Sequence, residues 1–393
     1  MTNRPLFVVV LHAVLVGGAP ALFAQSFDEL VERRNAPKTW SNILQIEAGA
    51  IGTATWQNDS PIGKDDEISW DGSIWFLDDQ VGKRRGGLEA YAGRDGLYGA
   101  YTDGKLIGDD TVTRVELHAR PWMFYRDGFY RNGEFDDNGL YEGNDWEAYV
   151  GFGREAQDGL YIELGPFYRR LDFERSSLTA PNFTIPDGYS AYGARLYLEQ
   201  NSLQMDRRSG MPRSGFVLTL IGEREWNNSE GEFGIDGGFA TELPSAVWRA
   251  RGRLEWYIPG SEEVTFEAFA RGGWQDEKDR VENFQGQRPL GSIWADAQLR
   301  MRWQVGKSIT LTPFAELQYS RVLEEDGGSS TKDFFFGGGV EGYVHFSDWL
   351  SMHGYYSYLD NDNRPSISID EDVHGEHMFY LGFVVRIGAT RAR

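Results

Sequence analysis

The chain has no cysteine, no long apolar run in its mature part and too few basic residues to balance its acids. Without cysteine it has no disulfide, no thiolate metal ligand and no attachment point for a lipoprotein anchor. The net charge of −21, from 60 acidic and 39 basic residues, excludes the basic surface that nucleic-acid binding requires. A bilayer-spanning helix needs about 20 consecutive apolar residues, so a helical span is excluded as well.

The first 24 residues have the features of a secretory signal. Arg4 supplies a positive charge, the run 6–16 supplies an apolar stretch, and small residues follow at 17–21. That run is too short to cross a hydrocarbon core of about 30 Å, which favours a signal peptide over a membrane anchor. We predict a signal peptide at 1–24, a short helical segment at 25–40 and a single domain at 41–393.

Segment 246–258 alternates strictly between two kinds of side chain. One set of alternate positions is apolar or small, and the other set carries three arginines and a glutamate. A period of two is that of a β-strand, whose successive side chains point to opposite faces. A strand that crosses a bilayer needs about 9–11 residues, apolar toward lipid and polar toward a wet lumen. The segment therefore predicts a membrane-spanning strand with its arginines inside.

Sixteen alternating segments of this kind occur between 43–56 and 376–388. Single-chain bacterial barrels have even strand numbers, with short periplasmic turns and longer external loops. The first four segments are short or irregular, which leaves 12–16 strands possible. We predict an all-β protein of the bacterial outer membrane: one transmembrane antiparallel β-barrel of about 16 strands. Its expected partners are outer-membrane lipid and, during biogenesis, the barrel-assembly machinery.

The same alternation predicts which charged side chains face the lumen. A row of guanidinium groups would bind carboxylate or phosphate and select anions. Pairing between these arginines and the lumen acids is the alternative, and both interpretations remain open. The arginines predicted to line a solute path are Arg114, Arg120, Arg249, Arg251, Arg253, Arg271, Arg300 and Arg302. The predicted acidic partners are Glu116, Glu163, Glu267, Asp296, Glu316 and Glu341.

Four motifs between 202 and 387 carry a resemblance to a known family. Asp206–Phe216 contains an Asp…Pro-x-x-Gly strand entry, Asp333–Glu341 is a Gly-rich strand, and Tyr380–Ile387 matches a terminal barrel-assembly signal. The fourth, Phe284–Gly291, contains Arg288. Together they resemble the barrel of the bacterial surface-antigen superfamily, which includes outer-membrane assembly factors and two-partner secretion transporters.

The resemblance implies a lumen loop at Phe284–Gly291, although the family's Arg-Gly-Phe or Arg-Gly-Tyr signature is replaced by Arg288-Pro-Leu. It implies that Arg288 enters the lumen and meets an inward acid such as Asp296, Glu316 or Glu341. The family recruits its clients through periplasmic POTRA domains, for which there is no room before the first predicted strand. We therefore expect a barrel that lacks POTRA domains.

Three functions remain open at this level. We favour a non-enzymatic channel or transport barrel for an anionic solute. The first alternative is a POTRA-less barrel in outer-membrane protein assembly or translocation, and the second is a structural or surface-receptor barrel. No cofactor or metal is expected, because the acidic stretch 360–372 does not match EF-hand spacing. His345 and Ser347 resemble the His-x-Ser pair of outer-membrane lipid A deacylases, but alternation places them in the lumen, and no enzyme is predicted.

Overall fold

A computed structural model describes most of the chain from Trp40 to Arg391. The predicted signal peptide, the segment 25–39 and Arg288 lie outside the described residues. Within the described part, no helix is long and apolar enough to cross a membrane. The described residues are 40–55, 67–81, 86–93, 96–104, 106–107, 111–126, 130–131, 134–135, 140–157, 159–176, 179–205, 212–238, 240–276, 281–283, 291–323, 330–360 and 376–391.

Sixteen antiparallel strands form one closed sheet, as the alternation predicts. Each strand pairs with its sequence neighbours, so every connection is a hairpin. The strands are β1 Trp40–Thr55, β2 Glu67–Val81, β3 Gly86–Gly93, β4 Gly96–Asp103, β5 Val112–Arg126, β6 Leu140–Gln157, β7 Leu160–Glu174, β8 Tyr189–Asn201, β9 Pro212–Asn227, β10 Ala246–Pro259, β11 Val264–Gln275, β12 Ile293–Val305, β13 Ile309–Leu323, β14 Ser330–His345, β15 Leu350–Asp360 and β16 Glu376–Arg391.

The first and last strands close the barrel. β1 pairs with β16 from Trp40 opposite Arg391 to Thr55 opposite Glu376. Closure leaves no edge strand with unpaired N–H and C=O groups, which is the condition for a sheet to lie in hydrocarbon. The last residues of β9 and β11, after which long connections follow in the sequence, lie at the opposite end of the barrel from Trp40 and Arg391. That end faces outside.

The two faces of the sheet are inverted relative to a soluble protein. Leu299 is 70 % exposed and Trp248 is 52 % exposed, whereas Glu163 and Gln318 are fully buried. Exposed apolar side chains cover the outer surface, and charged side chains fill the interior. Such an exterior in water would be a large apolar patch of the kind that marks a membrane surface. The predicted inside-out barrel of the outer membrane is confirmed.

Glycine at the closing seam makes room for an aromatic ring. Gly49 of β1 lies opposite Gly382 of β16, and the ring of Tyr380 covers both. A Cβ atom on Gly49 would lie 2.5 Å from the carbonyl oxygen of Leu381 and 2.6 Å from the Cα of Gly382. Both of these neighbours are backbone atoms, so they cannot rotate away. The seam therefore needs glycine at this position.

We expect Gly49→Val to prevent closure of the barrel, because the added side chain separates β1 from β16. Gly99→Val is the matched control, since a Cβ at Gly99 meets nothing within 4 Å. The measurement is heat-modifiable migration on SDS gels after refolding in detergent, where a closed barrel runs as a compact species. Gly49→Val should lose most of that species and Gly99→Val should keep it. Equal folding of both variants would contradict the account of the seam.

Candidate functional site

The lumen wall carries the charged side chains that the alternation predicts. The predicted residues that the structure describes all lie on the inward positions of their strands. Glu116, Arg120 and Asp296 are buried, while Arg251 and Arg300 keep part of their surface exposed. Their role along a solute path stays a prediction at this point.

A group of largely buried charges spans five strands and is called the ionic cluster. It consists of Glu147 on β6, Arg169 on β7, Arg195 on β8, Glu223 and Glu225 on β9, and Arg249 on β10. Arg195 donates from Nη2 to Glu147 Oε1 at 2.7 Å and from Nε to Glu223 Oε1 at 2.6 Å. Its side chain is 2 % exposed, and its guanidinium carbon lies 4.9 Å from the ring of Tyr149.

Arg169 and Arg249 complete the charge balance of the ionic cluster. Arg169 donates to Glu147 Oε2 at 2.6 Å and to Glu225 Oε2 at 2.7 Å. Arg249 donates to the same Glu225 oxygen at 2.7 Å. Three arginines therefore oppose three glutamates. A buried charge is tolerated when it is paired and hydrogen-bonded, so the cluster is stable as a unit and vulnerable to loss of one member.

Among the residues predicted for the solute path and its acidic partners, only Arg249 belongs to this cluster. Glu147, Arg169, Glu223 and Glu225 occupy the inward positions of segments already identified as strands. Carrying the period of two through β6, β7 and β9 would have placed them in the lumen. The alternation was therefore sufficient to place these four residues in the lumen, and our list of lumen residues was incomplete.

The remaining predicted charges pair in several ways. Arg120 forms a bidentate pair with Asp145 at 2.9 and 2.5 Å, and Arg271 donates to Asp296 at 2.9 Å. Arg114 donates to Glu116, its neighbour on β5. Glu163 instead accepts hydrogen bonds from two tyrosines, and Glu316 from Gln318 at 2.7 Å. Most of the described lumen pairs join residues of one strand or of neighbouring strands rather than spanning the lumen.

The part of the lumen next to the ionic cluster, from β10 to β14, is less enclosed. There Arg302 pairs with Glu267 at 3.1 Å, and Arg300 with Glu341. The side chains of Arg253, Arg300 and Arg302 are 17 %, 24 % and 13 % exposed, against 2 % for Arg195. We call this region the wet wall; its members are Arg251, Arg253, Glu267, Arg300, Arg302 and Glu341.

His353 links the wet wall to the first strand. Its Nδ1 lies 2.8 Å from Glu47 Oε1 on β1, and its Nε2 lies 3.3 Å from Glu341 Oε1 on β14. The ring also stacks on Tyr343 at a centroid distance of 4.3 Å. Neither Glu47 nor His353 was in our predicted site. A single histidine has no partner that is recognisable in the sequence. Its contact with Glu341 becomes evident only when β15 is paired with β14.

An apolar cap packs on the outer ends of β6, β7 and β8, above the ionic cluster. Three short strands, Phe183–Thr184, Glu232–Ile235 and Ala240–Glu242, form a small sheet from the loops after β7 and β9. Phe183 and Phe233 are buried against inward residues of β6, β7 and β8. The cap therefore lies over three of the five strands that carry the ionic cluster.

The histidine of the deacylase-like pair has a different partner from the one its spacing suggests. His345 Nδ1 lies 2.9 Å from the hydroxyl of Ser351, whereas the Ser347 hydroxyl accepts the backbone N–H of Leu350. Arg386 also donates to Ser351 Oγ, at 3.3 Å. Ser351 is fully buried. These contacts hold the inner turn between β14 and β15 against β16.

Known proteins resemble this chain in fold rather than in sequence. No family model matches the chain, and no curated protein does. Among solved structures, it is similar to BamA from Haemophilus ducreyi lacking POTRA domains 1–3, with 10 % identity over 88 % of this chain and 70 % of that chain, at a TM-score of 0.50. The chain has the fold of an outer-membrane β-barrel. The predicted resemblance to assembly-factor barrels is confirmed at the level of the fold.

Two further barrels match with lower TM-scores. CdiB from Acinetobacter baumannii has 8 % identity over 88 % of this chain, at a TM-score of 0.49, and the match spans 60 % of that protein. The toluene transporter TodX from Pseudomonas putida has 10 % identity over 95 % of this chain and 96 % of that chain, at a TM-score of 0.36.

We expect Arg195→Met to destabilise the barrel by about 3–5 kcal/mol, because it leaves Glu147 and Glu223 buried without their main partner. The matched control is Arg154→Met, since Arg154 is exposed on the outward side of β6. Its free energy of unfolding should change by about 0.5 kcal/mol or less. Urea unfolding in lipid vesicles measures both. Equal midpoints for the two variants would contradict a stabilising role for the ionic cluster.

Proposed function

We propose that this outer-membrane barrel transports a small anionic solute along the wet wall. The observation that carries the proposal is the uneven enclosure of the lumen arginines. The side chain of Arg195 in the ionic cluster is 2 % exposed, whereas those of Arg253 and Arg300 on the wet wall are 17 % and 24 % exposed. Only an exposed guanidinium is able to meet a solute.

The chemistry of the wet wall suits carboxylate or phosphate groups. Guanidinium offers a planar fork of donors that matches both anions. Each of these arginines also has an acidic group close by, such as Glu267 for Arg302 at 3.1 Å. This competition weakens the binding of a solute at any one arginine. Weak binding at several successive sites favours conduction, because a solute must leave each site as readily as it enters.

The position of the cap agrees with a path on this side of the lumen. The described cap residues pack on β6, β7 and β8, above the ionic cluster. The exposed arginines belong to β10 and β12, away from those strands. The wet wall extends from β10 to β14, beyond the strands on which the cap packs.

Assembly or translocation of proteins, which the surface-antigen resemblance implies, stays an alternative hypothesis, as does a structural or receptor role. Among the described residues, no contact favours either over solute transport. Deletion of the gene followed by envelope proteomics separates them. Loss of other barrels from the outer membrane would favour assembly, and an unchanged permeability with unchanged composition would favour a structural or receptor role.

We predict that the reconstituted barrel conducts in planar bilayers with a preference for anions. Arg251→Gln combined with Arg300→Gln should shift the reversal potential in a KCl gradient toward cation preference, because two positive charges leave the path. Arg154→Gln removes one charge from the outer surface and should leave the reversal potential unchanged. A folded wild-type barrel without conductance at any salt concentration, or an unshifted potential in the double variant, would contradict the proposal.

A further inference from the structure

Near the external end of the barrel, the described outer wall carries an arginine that lies between two tryptophans and has no acidic partner. Arg224 lies on the outward side of β9, near its external end, in register with Trp248 of β10. Its guanidinium carbon lies 4.9 Å from the ring of Trp248 and 5.6 Å from that of Trp226. None of the described acidic side chains forms a salt bridge with it. A cation at this position is stable when it meets water or an anionic headgroup at the membrane interface.

A second outward arginine, on the same external rim of the barrel, differs from Arg224 because it has an acidic partner. Arg170 faces outward on β7, and it donates to Asp172 at 2.5 and 3.1 Å and to Ser190 at 3.2 Å. Its charge is therefore neutralised within the protein. Arg224 has aromatic faces in place of a carboxylate, so its N–H donors remain for a ligand. Those faces also restrict where the guanidinium points.

An apolar groove of about 430 Å³ opens on the lipid side directly below Arg224. Gly222 is two residues from Arg224 on the same strand face, which is about 7 Å along the strand. The floor of the groove extends across β9, β10 and β11, because Gly222 lies opposite Ala250 and Gly252 lies opposite Gly272. Leucine side chains from β8 and β9 form one side of the groove, and Trp274 forms the other side. The groove is almost wholly apolar, as a site for hydrocarbon requires.

We propose that this surface, Arg224 together with the groove below it, is a binding site for one phosphorylated lipid of the outer leaflet. The phosphate would accept hydrogen bonds from Arg224 at the level of the tryptophan rings, and an acyl chain would lie over Gly222 and Gly252. Charge complementarity selects an anionic lipid over a neutral one, since phosphate is the anion that guanidinium binds in bidentate fashion. The groove selects a lipid over free phosphate.

The test uses the complete purified barrel in non-ionic detergent and native mass spectrometry with added lipids. Wild type should retain dimyristoyl phosphatidic acid in preference to dimyristoyl glycerol, which lacks the phosphate. Arg224→Gln should lower the affinity for phosphatidic acid about tenfold, as expected for loss of a charge-assisted hydrogen bond. Arg170→Gln is the matched control on the same rim and should bind as wild type does.

The groove is tested separately. Gly222→Leu fills it without a clash in the wall, since a Cβ at Gly222 meets nothing within 4 Å, and Gly99→Leu is the control for the same change elsewhere on the outer surface. Gly222→Leu should also lower lipid retention, and Gly99→Leu should not. Equal binding of phosphatidic acid by wild type and Arg224→Gln, or equal retention of phosphatidic acid and dimyristoyl glycerol, would overturn the proposal. Competition by glycerol phosphate at the concentration of the lipid would also overturn it, because the site would then bind the headgroup alone.

Discussion

A sheet inside hydrocarbon has no water to bond the N–H and C=O groups of an edge strand, so it must close on itself. In this protein the pairing of β1 with β16 provides that closure. The two environments of the side chains follow from this closure. Once the sheet is a tube, every side chain faces either lipid or the lumen, and the period of two along each strand decides which. Trp248 and Arg249 are neighbours in sequence but lie in opposite environments for this reason.

Charged side chains in the lumen are accommodated in two ways. From β6 to β10, arginines and glutamates form the ionic cluster, where the guanidinium of Arg195 on β8 bridges carboxylates of β6 and β9. From β10 to β14, pairs such as Arg302 with Glu267 remain partly exposed. The first arrangement pairs the buried charges with one another, and the cap of apolar residues lies above it. The second leaves charged groups that a solute is able to reach, which is why we propose the wet wall as the path of transport.

Much of this architecture could be predicted from the sequence, because alternation is a local property. The segment 246–258 was predicted as a strand with arginines inside, and β10 spans Ala246–Pro259 with those arginines on the inner face. The specific partners could not be predicted. Arg169 reaches Glu225 across an intervening strand, and Arg300 reaches Glu341 in the same way. Such contacts depend on the register and stagger of three strands, which no single segment encodes.

The cap shows a second limit of sequence reasoning. Its short strands, such as Phe183–Thr184, are too brief for alternation to be visible, and they lie outside the sixteen alternating segments. They become ordered because Phe183 and Phe233 pack on inward residues of the barrel wall. The outward site at Arg224 was missed for a different reason. A charged residue on an apolar face breaks the pattern, and its meaning depends on the tryptophans beside it.

The inverted faces of the sheet are the claim on which the account rests, and a chain without native cysteine allows a direct test. Single cysteines introduced at successive positions of 249–254 would carry a nitroxide label in lipid vesicles, read by oxygen and by a water-soluble nickel complex. We predict a period of two, with labels at positions 250, 252 and 254 more accessible to oxygen and labels at 249, 251 and 253 more accessible to nickel. No periodicity, or the opposite phase, would contradict an inside-out barrel.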